Sequence, residues 1–118
     1  MEFNSNFAYD LKVGQIAEEA LAEILQNKKI EIKRDLKAFK TGNIFIEYES
    51  RGNKSGIAKS KADYYCFFIS DFRLFLIETN ELKNICRRYL NTNRDVKGGD
   101  SNTSKGILLP IKNIINEM

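Results

Sequence analysis

Two short runs hold the residues with the most chemistry to offer. In Lys29 to Asp35, Glu31, Lys33 and Asp35 alternate with Ile30 and Ile32; in Ile44 to Glu49, Glu47 and Glu49 alternate with Ile46 and Tyr48. Residues two apart on a strand share a face, about 6–7 Å from one another. Pairing of the two strands as a hairpin would gather four acids and a lysine on one side of a sheet. Carboxylates crowded in this way repel, and a hard divalent cation such as magnesium, which takes oxygen ligands, suits them. A magnesium ion in such a group can activate water and stabilise a phosphodiester under attack, and a neighbouring lysine adds to that stabilisation. The competing reading is a pair of half-buried strands with charges on the solvent face. Alternation alone leaves both open.

The 118 residues include no histidine. Ser-His-Asp and Cys-His triads, histidine general bases and His-ligated zinc are thereby excluded. Cys66 and Cys86 are too few for a disulfide framework or a four-cysteine metal site. Their apolar surroundings read as reduced core positions of a cytoplasmic protein. Met1 to Asp10 lacks the basic start and apolar run of a signal peptide. The longest apolar stretch, Tyr64 to Ile69, is too short to span a bilayer, so no membrane role is expected. The balance of 19 basic to 16 acidic residues is compatible with nucleic acid without requiring it.

The elements that must hold these runs follow from periodicity. Val13, Ile16, Ala17, Ala20, Leu21, Ile24 and Leu25 recur at helical spacing, and Asn27 is the stop. Lys29 to Asp35 and Ile44 to Glu49 are strands, joined through turn chemistry at Thr41-Gly42-Asn43. Arg51 to Lys61 is a basic loop. Tyr64 to Ile69 is an aromatic strand expected to be buried on both faces, its rings core rather than a base-stacking platform. Asp71-Phe72-Arg73 turns into the strand Leu74 to Glu78. Thr79 is expected to cap a helix from Glu81 to Leu90. Asn91 to Lys105 is a loop, Ile107 to Leu109 a short strand, and Pro110 opens a closing amphipathic turn with Ile111, Ile114 and Ile115. One α/β or α+β domain over residues 1–118 is expected.

Quoted in order, YDLKVGQIAEEALAEIL, IEIKRDLKAFKTGNIFIEYESRGNKSGIAKSKADYYCFF and GGDSNTSKGILLPI cover most of the chain. They resemble small phage and bacterial proteins of the PD-(D/E)XK nuclease superfamily, which includes restriction endonucleases and Holliday junction resolvases. The segment from Thr41 to Ile57 is the most specific part. The resemblance implies a restriction-endonuclease-like αβββαβ core, with a mixed central sheet flanked by helices. It also implies magnesium, or manganese in its place, at one sheet edge, and magnesium-dependent cleavage of DNA, duplex or branched. Glu18 matches the superfamily's helix acid, Asp35 its strand acid and Glu47 the first residue of Glu-x-Lys. Glu49 stands where lysine is usual, and Lys33 could supply the ammonium.

The resemblance thus implies a metal held by Asp35 and Glu47 with help from Glu18, Lys33 stabilising the transition state, and Glu49 orienting or deprotonating water. A second register, Glu31-Ile32-Lys33, would need an aspartate on a preceding strand, whereas the one aspartate upstream, Asp10, lies before the helix; the Asp35–Glu47–Glu49 register is therefore preferred. Arg51, Lys54, Ser55, Lys59 and Lys61 would hold phosphates beside the metal, and Lys105, in a segment with Gly98, Gly99, Asp100 and Ser104, would be a second DNA contact unless that segment is only a flexible connection, the reading its glycines favour. Cutting two strands calls for two active sites, hence a homodimer. The other readings are a non-catalytic DNA-binding or accessory protein of the same fold and a structural domain with solvated acids.

Overall fold

The computed structural model describes residues 3–35 and 37–117. Helix α1 spans Phe3–Asn27, starting well before the apolar stripe at Val13. Alanine, leucine and glutamate, all strong helix formers, dominate its second half. Strand β1 (Ile30–Arg34) leads to the single-turn α2 (Ala38–Thr41), and Gly42 ends that turn at a left-handed φ of 74°. The chain continues through β2 (Asn43–Ser50), β3 (Asn53–Lys54), a 3-10 turn at Gly56–Ala58, β4 (Tyr64–Ser70) and β5 (Arg73–Glu78). Helix α3 (Thr79–Arg87), β6 (Asp95–Gly98), β7 (Ser104–Pro110) and α4 (Ile111–Glu117) complete it.

The chain is a mixed α+β fold whose strands divide between two sheets, ordered β1-β4-β5 and β3-β2-β7-β6. The hairpin between the two acidic strands does not form: β1 runs parallel to β4, and β2 antiparallel to β7. Apolar pairing accounts for β2, since Ile44 faces Leu109 and Ile46 faces Ile107, all four buried. The turn at α2 and Gly42 carries the chain out of one sheet and into the other. A single apolar cluster joins them, built on Tyr65, Phe67 and Ile77 from the first sheet and Ile44, Ile46, Ile107 and Leu109 from the second. Leu82, Ile85 and Cys86 of α3 and Ile114 of α4 belong to the same cluster.

Several local expectations change. Thr79 is the first residue of α3 rather than its cap, and its buried Oγ1 has no hydrogen-bond partner among the described residues. The segment Asn91 to Lys105 contains β6 and a 3-10 turn at Asp100–Asn102, and it closes into β7. Pro110 ends β7, with α4 beginning one residue later; the side chain of Ile115 lies outside the described residues. Strand β4 is central, with Tyr65, Cys66 and Phe67 buried, but Tyr64 and Phe68 are only half-buried. Among the described residues no helix is long and apolar enough to cross a membrane.

Candidate carboxylate cleft

Strand β1 is inverted relative to the usual rule for a half-buried strand. Its register sets Glu31 beside Tyr65 and Lys33 beside Phe67, so its charged face continues the core-facing side of the sheet. The opposite face leaves Ile32 64% exposed. Polar-out alternation predicts the reverse. The charged face borders a cleft of about 310 Å³, lined by Lys33, Arg34 and Asp35 from β1 and the residue after it. The facing wall comes from Ile44 to Glu47 of β2 with Gly56 and Ile57; Tyr65 and Phe67 complete the lining. Among the described residues each strand has an open edge here: β1 pairs with β4 alone, and β3 covers β2 at Glu49 and Ser50 alone.

Both acids in the cleft are held in place. The Asp35 amide donates to the Phe68 carbonyl at 3.0 Å, extending the β1–β4 ladder by one residue. Its Oδ1 accepts the amides of Lys37 and Ala38, each at 3.1 Å, and so starts the α2 turn. Among the described residues Oδ2 accepts no hydrogen bond. The Ser55 hydroxyl donates to Glu47 Oε2 at 2.9 Å, leaving Oε1 similarly open. Gly56 makes this approach possible, because a Cβ there would lie 2.2 Å from the Glu47 carbonyl oxygen. Lys33 Nζ sits 3.7 Å from Glu31 Oε1, with its side chain about half exposed.

The cleft therefore unites Lys33, Asp35 and Glu47, three of the five residues expected to act together. Glu18 is exposed on α1 and does not line it. Glu49 also lies outside; a register shift between Glu47 and Glu49 breaks the alternation, and Glu49 stands 3.7 Å from Lys105 Nζ. The second register gains nothing, since Asp10 falls on α1 rather than on a strand. Among the described residues no three acids or cysteines converge as a metal-holding group.

The basic loop is distributed around the fold. Arg51 occupies the tight turn between β2 and β3 at a φ of 50°, and Lys59 follows the Gly56–Ala58 turn, exposed. Lys61 borders a separate polar hollow with Lys28 and Lys83. Lys54 opens onto a third hollow of about 270 Å³, where Lys83 and Arg87 from α3 join it beside Tyr48 and Cys86. Sequence reading missed Lys83 and Arg87 as partners of Lys54, although their i,i+4 spacing puts them on one helix face. Arg34 also borders the cleft and bonds to the Asp71 carboxylate.

Two groups near the third hollow are chemically quiet. Burial pushes the Cys86 thiol up to about 12, which leaves no reactive thiolate at neutral pH. The Tyr48 hydroxyl donates to Asp95 Oδ1 at 2.6 Å, and that bond, with burial behind it, holds the phenol proton to about 12. Compared with known proteins, the chain matches no family model, no curated protein and no solved structure.

Proposed function

We propose that this chain is a magnesium-dependent DNA phosphodiesterase of the PD-(D/E)XK kind, working in the cleft between β1 and β2. One observation carries the reading: an edge strand turns its charged face, with Lys33 and Asp35, toward Glu47 while its isoleucine faces outward. The mixed α+β class agrees with a restriction-endonuclease-like core only at that level, because the strands stand in two sheets, β1-β4-β5 and β3-β2-β7-β6, rather than in one central sheet.

The donor set fits magnesium, which keeps several waters and takes one or two carboxylates together with substrate phosphate. Asp35 and Glu47 would hold it, each through the oxygen left without a hydrogen bond. When bound, the ion lowers the pKa of water and neutralises charge on the phosphate. Lys33 stabilises the same developing charge, and the rigid anchoring of Asp35 and Glu47 keeps the acids from rearranging during attack. Ser55 positions Glu47. The cations of residues 51–61 do not line the cleft, so any phosphates they engage lie along the substrate away from the metal, held without reading sequence.

The position of Glu49 keeps a second reading in play, a DNA-binding accessory protein with the same cleft. Strand cleavage against DNA binding alone separates the two. The enzyme reading predicts nicking of DNA that requires magnesium or manganese and stops with chelator; retention of DNA with no nicking of duplex or branched substrates under either metal selects the accessory reading.

A further inference from the structure

Helix α1 stands away from the rest of the molecule. Its 25 residues extend about 37 Å, and the molecule measures 60 Å along one axis against 29 and 27 Å along the others. From Leu11 to Asn27 every residue is exposed except Ile24, which is half-buried where the helix meets the body. Among the described residues the stripe of Val13, Ile16, Leu21 and Ile24 therefore has no partner along most of its length. A second apolar surface is also uncovered. On the outer face of the β1-β4-β5 sheet, Ile32 is 64% and Leu74 54% exposed. The registers put Phe68 and Leu76 beside them.

Size measures the missing cover. The radius of gyration is 17.4 Å, where a compact domain of this length gives about 13.5 Å. The accessible surface is 8715 Å², against about 6,600 Å² for a folded monomer of this mass. The excess of roughly 2,100 Å² is more than double the ~800 Å² that each partner buries in a standard stable complex. Charge points the same way. Residues 3–27 carry one lysine against four acids, net −3, while residues 28–118 carry eighteen basic residues against eleven acids, net +7. The helix is electrostatically suited to the body of this protein and unsuited to nucleic acid.

The helix is not free to fold back on its own sheet without local rearrangement. Only Lys28 and Lys29 link α1 to β1, and both are tied. The Lys28 amide donates to the Ile24 carbonyl at 3.2 Å, and the Lys29 amide to Asp63 Oδ2 at 2.9 Å. The Lys29 carbonyl accepts the amides of Asp63 and Tyr64. A second copy offers the same sheet face with these bonds intact.

We propose that α1 of each copy lies across the outer face of the β1-β4-β5 sheet of a second copy, in a reciprocal two-fold dimer. The arrangement uses one contact twice, as a closed two-fold interface requires. Lys33, Asp35 and Glu47 take no part in it, and Arg34, on the Ile32 face of β1, borders both surfaces. Sedimentation equilibrium of the full chain tests it, beside Ile16→Glu on the helix and Ile32→Glu on the sheet. Both positions are exposed, and far-ultraviolet circular dichroism checks that each variant keeps its fold; Ile16→Ser and Ile32→Ser replace any that does not. The expected result is a species of twice 13.6 kDa, with the dissociation constant raised at least about tenfold by either substitution. A monomeric native chain overturns the proposal. So does a dimer that survives Ile32→Glu, which would place α1 against another helix.

Discussion

Gly56 has no side chain, yet it sets how closely the 3-10 turn approaches Glu47. Its φ of +48° already disfavours any other residue, and an added Cβ would overlap the Glu47 carbonyl. Gly56→Ala is expected to destabilise the fold by roughly 2 kcal/mol or more, from left-handed strain together with overpacking, and urea denaturation measures it. Tyr48 and Cys86 make a prediction in alkali. Each is an acid whose proton is held to about 12 in the folded chain, while the unfolded groups lose theirs near 10 and 9. Between those values the unfolded state binds fewer protons, so stability is unaffected at neutral pH and falls as pH rises from about 9 toward 12. Tyr48→Phe should remove the phenol titration step near 12 in the absorbance at 295 nm; persistence of that step would assign it to another tyrosine.

Among elements, β1 and α2 decide the most. Asp35 has a structural task, because its Oδ1 starts α2, and that task must be separated from any catalytic one. Asp35→Ala should cost about 1 kcal/mol of stability, whereas Asp35→Asn retains an acceptor at Oδ1 and should stay within a few tenths of the native value. Thermal unfolding of the two variants checks this. Much of the element order was legible: α1, β2, β4, β5 and α3 follow from spacing that tertiary contacts reinforce. The pairing was not. Periodicity says which residues share a face but is silent on which strand lies next, and β2 found its partner more than fifty residues away in β7. Nor does alternation reveal which face turns inward. The isoleucines of β1 read as the natural core side, and only the register with β4 shows that its charged side meets the cleft.

For the whole molecule, the division of charge between an acidic α1 and a basic remainder shapes how DNA would be held. If Arg51, Lys54, Lys59 and Lys61 each neutralise one phosphate, the logarithm of affinity should fall with the logarithm of salt at a slope of about −3.6, and Lys59→Ala should make it shallower by about 0.9. Fluorescence anisotropy across a salt series reads both. Lys33, Asp35 and Glu47 line one cleft between two sheets rather than one face of a hairpin. The placements of Glu18 and Glu49 were not legible, because each depends on something spacing does not encode: the direction in which α1 leaves β1, and a shift of register inside β2.

Relaxation of supercoiled plasmid, with a branched oligonucleotide alongside, tests the account most directly. Native chain, Asp35→Asn and Glu47→Gln are compared with magnesium, with manganese and with chelator. The account predicts metal-dependent cleavage by the native chain, reduced by more than about 100-fold in both variants while their unfolding temperatures remain near the native one. Cleavage that persists in a folded Asp35→Asn or Glu47→Gln protein, or that proceeds equally in chelator, would contradict it.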